Sequence, residues 1–330
     1  MVLAKHLIRA AGALIVAALA TGTIAQQKTI VRFSTAGPGG DFLARSMVQF
    51  KQEVEKAAPE FEVQNFPGGQ LFRQGTEVAA LQRANLEMST MSTFEVAQQI
   101  AELGFFNRAY LFRDFDHVTK TFAGPLGKRY ADLVAAKMGI VILAPTFLGT
   151  RQVNLRTARS VTGPAELAGV KMRMPAGPEW LLLGQSIGVS PTPMAMPEVY
   201  LALQTGTVDG QENPPTIMNA AKYHEVTKQL IMTSHLVQPV FFAIAKPFYD
   251  KLTPEQRAKL RSAAVNAAKW NDDMRLADEK TVVDGLAAKG LTVSRPDLAP
   301  FRANADKVYG ASDLAKAWDR KMMDEVIAVR

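Results

Sequence analysis

Residues Lys171–Pro214 read KMRMPAGPEWLLLGQSIGVSPTPMAMPEVYLALQTGTVDGQENP, and the way this stretch alternates between strand, turn and helix decides the fold. Val170, Met172 and Met174 alternate with Lys171 and Arg173, the period of a strand, so the two cations share one face. Pro175 cannot donate to a ladder and ends the strand, leaving Arg173 at its carboxyl end. Open α/β sheets bind ligands at that end. Pro178 and Glu179 suit the first turn of a helix through Leu183, and Pro197-Glu198 the first turn of another ending near Gly206. Thr207-Val208 reads as a short strand running into Asp209-Gly210. Asn213, held extended by Pro214 and Pro215, closes the segment.

Upstream, the chain repeats a strand–turn–helix rhythm. Thr29–Ser34 alternates like a strand and Gly37-Pro38-Gly39-Gly40 turns the chain; Asp41 then caps a helix whose apolar face is Phe42, Met47, Phe50 and Val54. The glycine turn lacks both the Walker lysine–hydroxyl pair and the spaced dinucleotide glycines, so it is a structural turn and no cofactor is expected. Phe61–Phe66 is the next strand, Pro67-Gly68-Gly69-Gln70 the next turn, and a helix around Glu77–Ala84 precedes a short strand at Leu86–Ser89. Such a rhythm predicts an α/β fold, a largely parallel sheet with helices on both faces. Thr93–Leu103 and Phe115–Met138 read as helical, the latter broken near Gly124-Pro125.

Gly139–Ala144 is a near-continuous apolar strand, buried on both faces, after which the chain crosses into a second unit. Leu148–Gln152 reads as a turn and Pro164–Leu167 as a short helix. Beyond Asn213 the pattern is helical to about Leu230, and Pro239–Ala245 is another buried strand. From Pro254 to Lys289 no proline intervenes, which is long for a globular helix.

The first 25 residues have the layout of a secretory signal peptide: Lys5 and Arg9, an apolar run from Ala10 to Ala20, and Thr23-Ile24-Ala25 before a cut. The apolar run is too short for the roughly 20 residues that span a bilayer. With no cysteine in the chain, disulfides and thiolate metal sites are excluded. About 305 residues then remain, enough for two cores. The formal charge of +7 falls by two with the leader, and the remaining cations are scattered, which argues against a nucleic-acid partner. A mild positive field favours a small anion.

The Lys-Met-Arg-Met-Pro strand, Pro-Thr-Pro-Met, Glu198–Gly206 and Val208–Pro214, in that order and spacing, resemble the periplasmic solute-binding subunit of TRAP transporters, the DctP type. The resemblance extends over the whole mature chain, more weakly in its first third. It implies a two-lobed clamshell, each lobe a sheet flanked by helices, with the long helix tying the lobes together. The expected division is 26–146 with about 239–277 as lobe I, and 147–238 with about 278–330 as lobe II. It further implies a periplasmic monomer that delivers an organic acid anion to membrane permease subunits.

Candidate site residues follow. Arg173 can hold a carboxylate through two parallel hydrogen bonds, and the resemblance gives it the main salt bridge to the ligand. Arg151 falls in a turn, where a solvated charge is the ordinary reading; by resemblance it also reaches the ligand. Asn213 reads alone as turn chemistry, and by resemblance as an amide on the carboxylate. Met196 stands where some relatives carry an aromatic, with a core role as the other reading. Trp180 either walls the pocket or packs in the core. Gln70, in the first lobe's glycine loop, is a further candidate contact. A competing motif, Gly184-Gln185-Ser186-Ile187-Gly188, matches the G-x-S-x-G elbow of a serine esterase, with Asp209 and His224 or His235 following in hydrolase order. The elbow needs strand, turn, then helix, whereas here a helix start precedes it and Pro191 follows. His117, His224 and His235 have no zinc-motif spacing.

Overall fold

The structure, a computed structural model, describes residues 28–279 and 281–330; the leader expected over the first 25 residues lies outside them. Nine strands form one sheet: β1 (Thr29–Ser34), β2 (Phe61–Phe66), β3 (Met88–Ser92), β4 (Ile140–Leu155), β5 (Lys171–Met174), β6 (Ser190–Pro193), β7 (Gly210–Asn213), β8 (Gln229–Ala245) and β9 (Thr292–Ser294). Their order is β2-β1-β3-β8-β4-β7-β5-β6, with β9 beside β8. β1 pairs parallel with β2 and β3, and β5 parallel with β6 and β7, as right-handed strand–helix–strand crossovers dictate.

The two halves meet on β4 and β8. These strands run antiparallel from Ile140 opposite Ala245 to Leu155 opposite Gln229. The carboxyl half of β8 carries β3, its amino end carries β9, and the carboxyl half of β4 carries β7. A two-lobed molecule thus shares a single ribbon. Three register shifts interrupt it, at Ile142/Ala144, Phe147/Gly149 and Arg151/Val153. Such bulges bend a strand and re-aim its side chains.

The apolar face of each element finds a partner. Phe33 of β1 packs edge-on against Phe50 and Phe242, with centroids 5.5 and 5.3 Å apart, beneath helices Phe42–Ala57 and Pro254–Glu279. A second core runs from Phe106, Tyr130 and Phe241 to Leu183 and Phe301, and a third gathers Val199, Leu203, Tyr223 and Leu286. The 26-residue helix touches both lobes through Arg275. Its Nη2 donates to Oδ1 of Asp41, the cap of the first helix, at 2.7 Å, and its Nη1 to Oγ1 of Thr216 beyond β7 at 2.5 Å.

Several sequence expectations are corrected. Leu148–Gln152 is not a turn: β4 continues through it, because β8 and β7 pair with it and buried partners satisfy its polar side chains. The short strand before Asn213 is Gly210–Asn213 rather than Thr207-Val208. β8 begins at Gln229, ten residues before the Pro239 at which the strand was expected to start and just inside the helical stretch expected to about Leu230. The long helix ends at Glu279 and a separate one occupies Val282–Ala288. No helix among the described residues is long and apolar enough to cross a membrane.

Candidate functional site

Strand register brings the candidate residues together. Arg173 lies beside Gln211 in the β5–β7 ladder, which sets Asn213 beyond it at the same end. Asn213 in turn faces Gln152 on β4, placing Arg151 next to it. Between these strand ends and the first lobe lies a cavity with about 90 Å³ open to the centres of water-sized spheres. That is well above the roughly 10–15 Å³ a cavity needs to admit a single water, so there is room for a small organic molecule. Thr35, Gln74, Glu77, Thr90, Ser92 and Glu95 line one side, and Arg151, Arg173, Trp180, Met196 and Asn213 the other.

The two arginines differ in their charge partners. Arg151, 3% exposed, forms a two-pronged pair with Glu212: Nε donates to Oε2 at 2.5 Å and Nη2 to Oε1 at 2.6 Å. Its Nη1 donates to Gln238 at 2.7 Å. Behind it, Glu212 Oε2 also lies 3.0 Å from His235 Nε2, and Thr233 Oγ1 is 2.8 Å from Nδ1. Burial lowers the His235 pKa, leaving a neutral ring that donates from Nε2. Burial alone would raise the Glu212 carboxyl, but Arg151 and the hydrogen bonds outweigh it and hold it below the usual range. The Arg151 guanidinium also lies over the Trp180 ring, 4.9 Å from its centre, and Trp180 stacks on Phe94 at 3.5 Å.

Arg173, 1% exposed, has no carboxylate partner among the described residues. Its Nε donates to Met194 O at 2.9 Å and its Nη2 to Gln74 Oε1 at 2.8 Å. Burial pulls its pKa down to about 10, which still leaves it charged at neutral pH. A guanidinium buried without an anion is costly. The same Gln74 oxygen accepts from the backbone N–H of Met196 at 2.8 Å. On the rim, Arg73 pairs with Glu198 at 2.6 Å, so neighbouring residues of one loop reach across the cleft. Asn213 Nδ2 donates to Gln211 Oε1 at 2.7 Å, and Gln211 to Asn154 at 3.0 Å, fixing the amide from behind.

Arg173, Arg151, Asn213, Met196 and Trp180 therefore share one cavity, whereas Gln70 does not line it and is exposed. Gly68 and Gly69, at φ of 67° and 71°, turn the loop back, and their N–H groups bind Gly37 O and Thr35 O. The chain needs four more residues to reach the cleft, so Gln74 is the glutamine that does. Arg151 is on a buried strand, not in a solvated turn. Sequence reading also missed Glu212, which sits inside the quoted motif, and Glu77, whose place in a first helical turn looked like ordinary helix chemistry.

The esterase reading is not supported. Ser186 ends the helix Pro178–Ser186 and is fully buried; its Oγ donates to Leu183 O at 2.7 Å and accepts from Tyr309 at 3.2 Å. His235 is committed to Glu212 and Thr233.

Two lobes joined by shared strands, enclosing a cavity with one unneutralised guanidinium, define the solute-binding class of α/β proteins. The chain belongs to the bacterial extracellular solute-binding proteins of family 7, the DctP family, which matches residues 33–314. These are the non-catalytic binding subunits that work with TRAP permeases. A solute-binding protein of Verminephrobacter eiseniae is 33% identical over 274 residues, 80% of this chain and 81% of that one. The crystal structure of a TRAP periplasmic solute-binding protein from Roseobacter denitrificans with bound 3-deoxy-D-manno-oct-2-ulosonic acid is 36% identical, with a TM-score of 0.88, covering 92% of this chain and 100% of that one. One from a Polaromonas species bound to D-erythronate is 28% identical, with a TM-score of 0.86, covering 92% and 99%.

Proposed function

We propose that this chain binds the carboxylate of a small organic acid on Arg173 and delivers that acid to a TRAP permease. The observation that carries the reading is the contrast between the two arginines. Arg151 is neutralised by Glu212, while Arg173, equally buried, lines the cavity without an anion. A ligand carboxylate supplies the missing charge, and Asn213 adds an amide beside it. Trp180 and Met196 wall the bound molecule. Arg151 acts chiefly as the rigid, already paired neighbour that keeps Trp180 and Asn213 in place. The acids bound by the two related structures, both hydroxylated monocarboxylic acids, support a ligand of that general size.

The proposed lobes are 26–146 with about 239–277, and 147–238 with about 278–330, closing on the ligand as a monomer after a leader is cut near Ala25. A thermal-shift screen of organic acids identifies the ligand, and calorimetry on Arg173→Ala tests the site. Loss of one desolvated, forked partner weakens binding by a few kcal/mol, a hundredfold or more at ~1.4 kcal/mol per decade. Arg173→Lys also binds poorly, because a point charge does not reproduce the fork. Wild-type affinity in Arg173→Ala removes Arg173 from the site and ends this reading.

A further inference from the structure

The cavity wall facing the arginines carries two carboxylates with no assigned role. Glu77 is 8% exposed and begins the helix Glu77–Gln82, while Glu95 lies in the helix Thr93–Ala97. Both line the cavity. Each spends one oxygen locally: Glu77 Oε2 accepts from Gly75 N at 2.8 Å, and Glu95 Oε2 from Ser92 N at 2.8 Å and from the Ser92 hydroxyl. Their remaining donors are local backbone N–H groups, and neither side chain forms a salt bridge among the described residues. Hydroxyls surround them, with Thr90 Oγ1 2.7 Å from Thr35 Oγ1 and Ser92 beside Glu95.

A carboxylate buried without a cation is costly unless something donates to it. Burial pushes the Glu77 carboxyl up to about 7, with Glu95 adding to the rise, and burial raises Glu95 as well. The charge that Glu77 feels is another carboxylate, not an arginine. One cavity therefore has a cation without an anion on one wall and carboxylates without a cation on the other.

We propose that Glu77 and Glu95 form a distal subsite that accepts hydrogen bonds from the hydroxylated end of the ligand and rejects a second carboxylate there, so that this chain takes polyhydroxy monocarboxylates and excludes the corresponding diacids. The proposal rests on the reading that Arg173 holds the first carboxylate. With Arg151 already neutralised, only one guanidinium remains for an anion, and once the glutamates ionise, as Glu77 does above about pH 7, a diacid would set its far charge against them. Juxtaposed like charges of this kind give specificity by repulsion.

The test uses pairs of acids that differ only in oxidation of the terminal carbon: D-erythronate against meso-tartrate, and D-galactonate against galactarate. Affinities are measured by calorimetry at about pH 8, where Glu77 is largely ionised, on the wild type, Glu77→Gln, Glu95→Gln and Arg173→Ala, with each variant's folding checked by its melting curve. Glu77→Gln keeps an acceptor for Gly75 N, and Glu95→Gln provides a second route should the first not fold. The expected result is about 100-fold or greater preference for the monoacid in the wild type, falling roughly tenfold or more in either glutamine variant. Arg173→Ala loses both acids. If Arg173→Ala loses binding but the glutamine variants keep the wild-type preference, the distal subsite is wrong while the carboxylate site survives. If Arg173→Ala binds normally, the underlying reading fails. A wild type that binds the diacids as well as the monoacids, or binds none of the monoacids, overturns the proposal.

Discussion

Replacing Glu212 by glutamine isolates the charge balance behind the site. The carboxylate serves three donors: Arg151 Nε at 2.5 Å, Arg151 Nη2 at 2.6 Å and His235 Nε2 at 3.0 Å. A glutamine amide offers one oxygen and turns its NH2 toward at least one of those donors. Arg151 keeps Gln238 and the Glu212 backbone carbonyl, at 2.7 and 2.6 Å, but loses its only anion among the described residues. Breaking one side of a buried ion pair costs about 3–5 kcal/mol, because the remaining charge stays buried and unpaired. At roughly 2–4 °C per kcal/mol for chains of 150–250 residues, a somewhat longer chain should melt on the order of 6–10 °C lower. Circular dichroism melts of the wild type and Glu212→Gln at pH 7 measure this. A second reading comes from pH. The folded Glu212 carboxyl is held below its ordinary value, so its contribution is present above the unfolded value and is lost as pH falls through the folded one. The gap between the two proteins should therefore narrow on acidification. Melting temperatures within about 2 °C at pH 7 would refute the neutralisation of Arg151 by Glu212.

Other predictions follow from single contacts. Glu77, raised from 4.5 to about 7, binds its proton more tightly folded than unfolded. Its stabilising effect is thus complete below about pH 4.5 and is lost as pH rises through 7; Glu77→Gln should flatten that decline, by on the order of 3 kcal/mol in denaturant titrations, and an unchanged pH profile would contradict it. Gly149 sits at φ 121°, where an added Cβ would lie 2.5 Å from Pro214 Cβ, so Gly149→Ala should lower the melting temperature and weaken ligand binding together, and a variant as stable as the wild type would show that the ribbon yields there freely. Gln74→Ala removes the acceptor shared by Arg173 Nη2 and Met196 N; at about 1 kcal/mol per bond the two sum to about 2 kcal/mol and affinity should fall roughly thirtyfold, whereas equal or tighter binding in calorimetry would assign Gln74 no part in the site. Small-angle scattering should give a smaller radius of gyration with saturating ligand, since a ligand favouring the closed state by ~5.5 kcal/mol moves an open population almost wholly to closed; identical profiles with binding confirmed would mean a rigid pocket.

The sequence made Arg173 legible because its strand is short, alternates cleanly and ends at a proline. The α/β class was equally open to reading from the strand–helix rhythm. Arg151 was misplaced because Thr150-Arg151-Gln152 has turn-like polarity, and only pairing with β7 and β8 makes it a buried strand. That pairing joins residues far apart in the chain, which local propensity does not record. Gln70 was named and Gln74 overlooked for the same reason, since the path of a glycine loop depends on the loop it is bonded to. Glu77 and Glu95 looked like helix-start carboxylates, and Glu95 does complete a capping box with Ser92; their facing one cavity is a fact of packing alone.

The ribbon of β4 and β8 also bears on how the molecule is made. β3 is laid down early, yet its antiparallel neighbour is the far end of β8, with Met88 opposite Ile244. Until that segment has emerged, one edge of β3 is bare and the first core lacks Phe242, which packs against both Phe33 and Phe50. Contacts so distant along the chain require closing a large loop before they return any stability, and such topologies fold slowly. An amino-terminal fragment that ends between β3 and β8 therefore lacks both the antiparallel neighbour of β3 and Phe242.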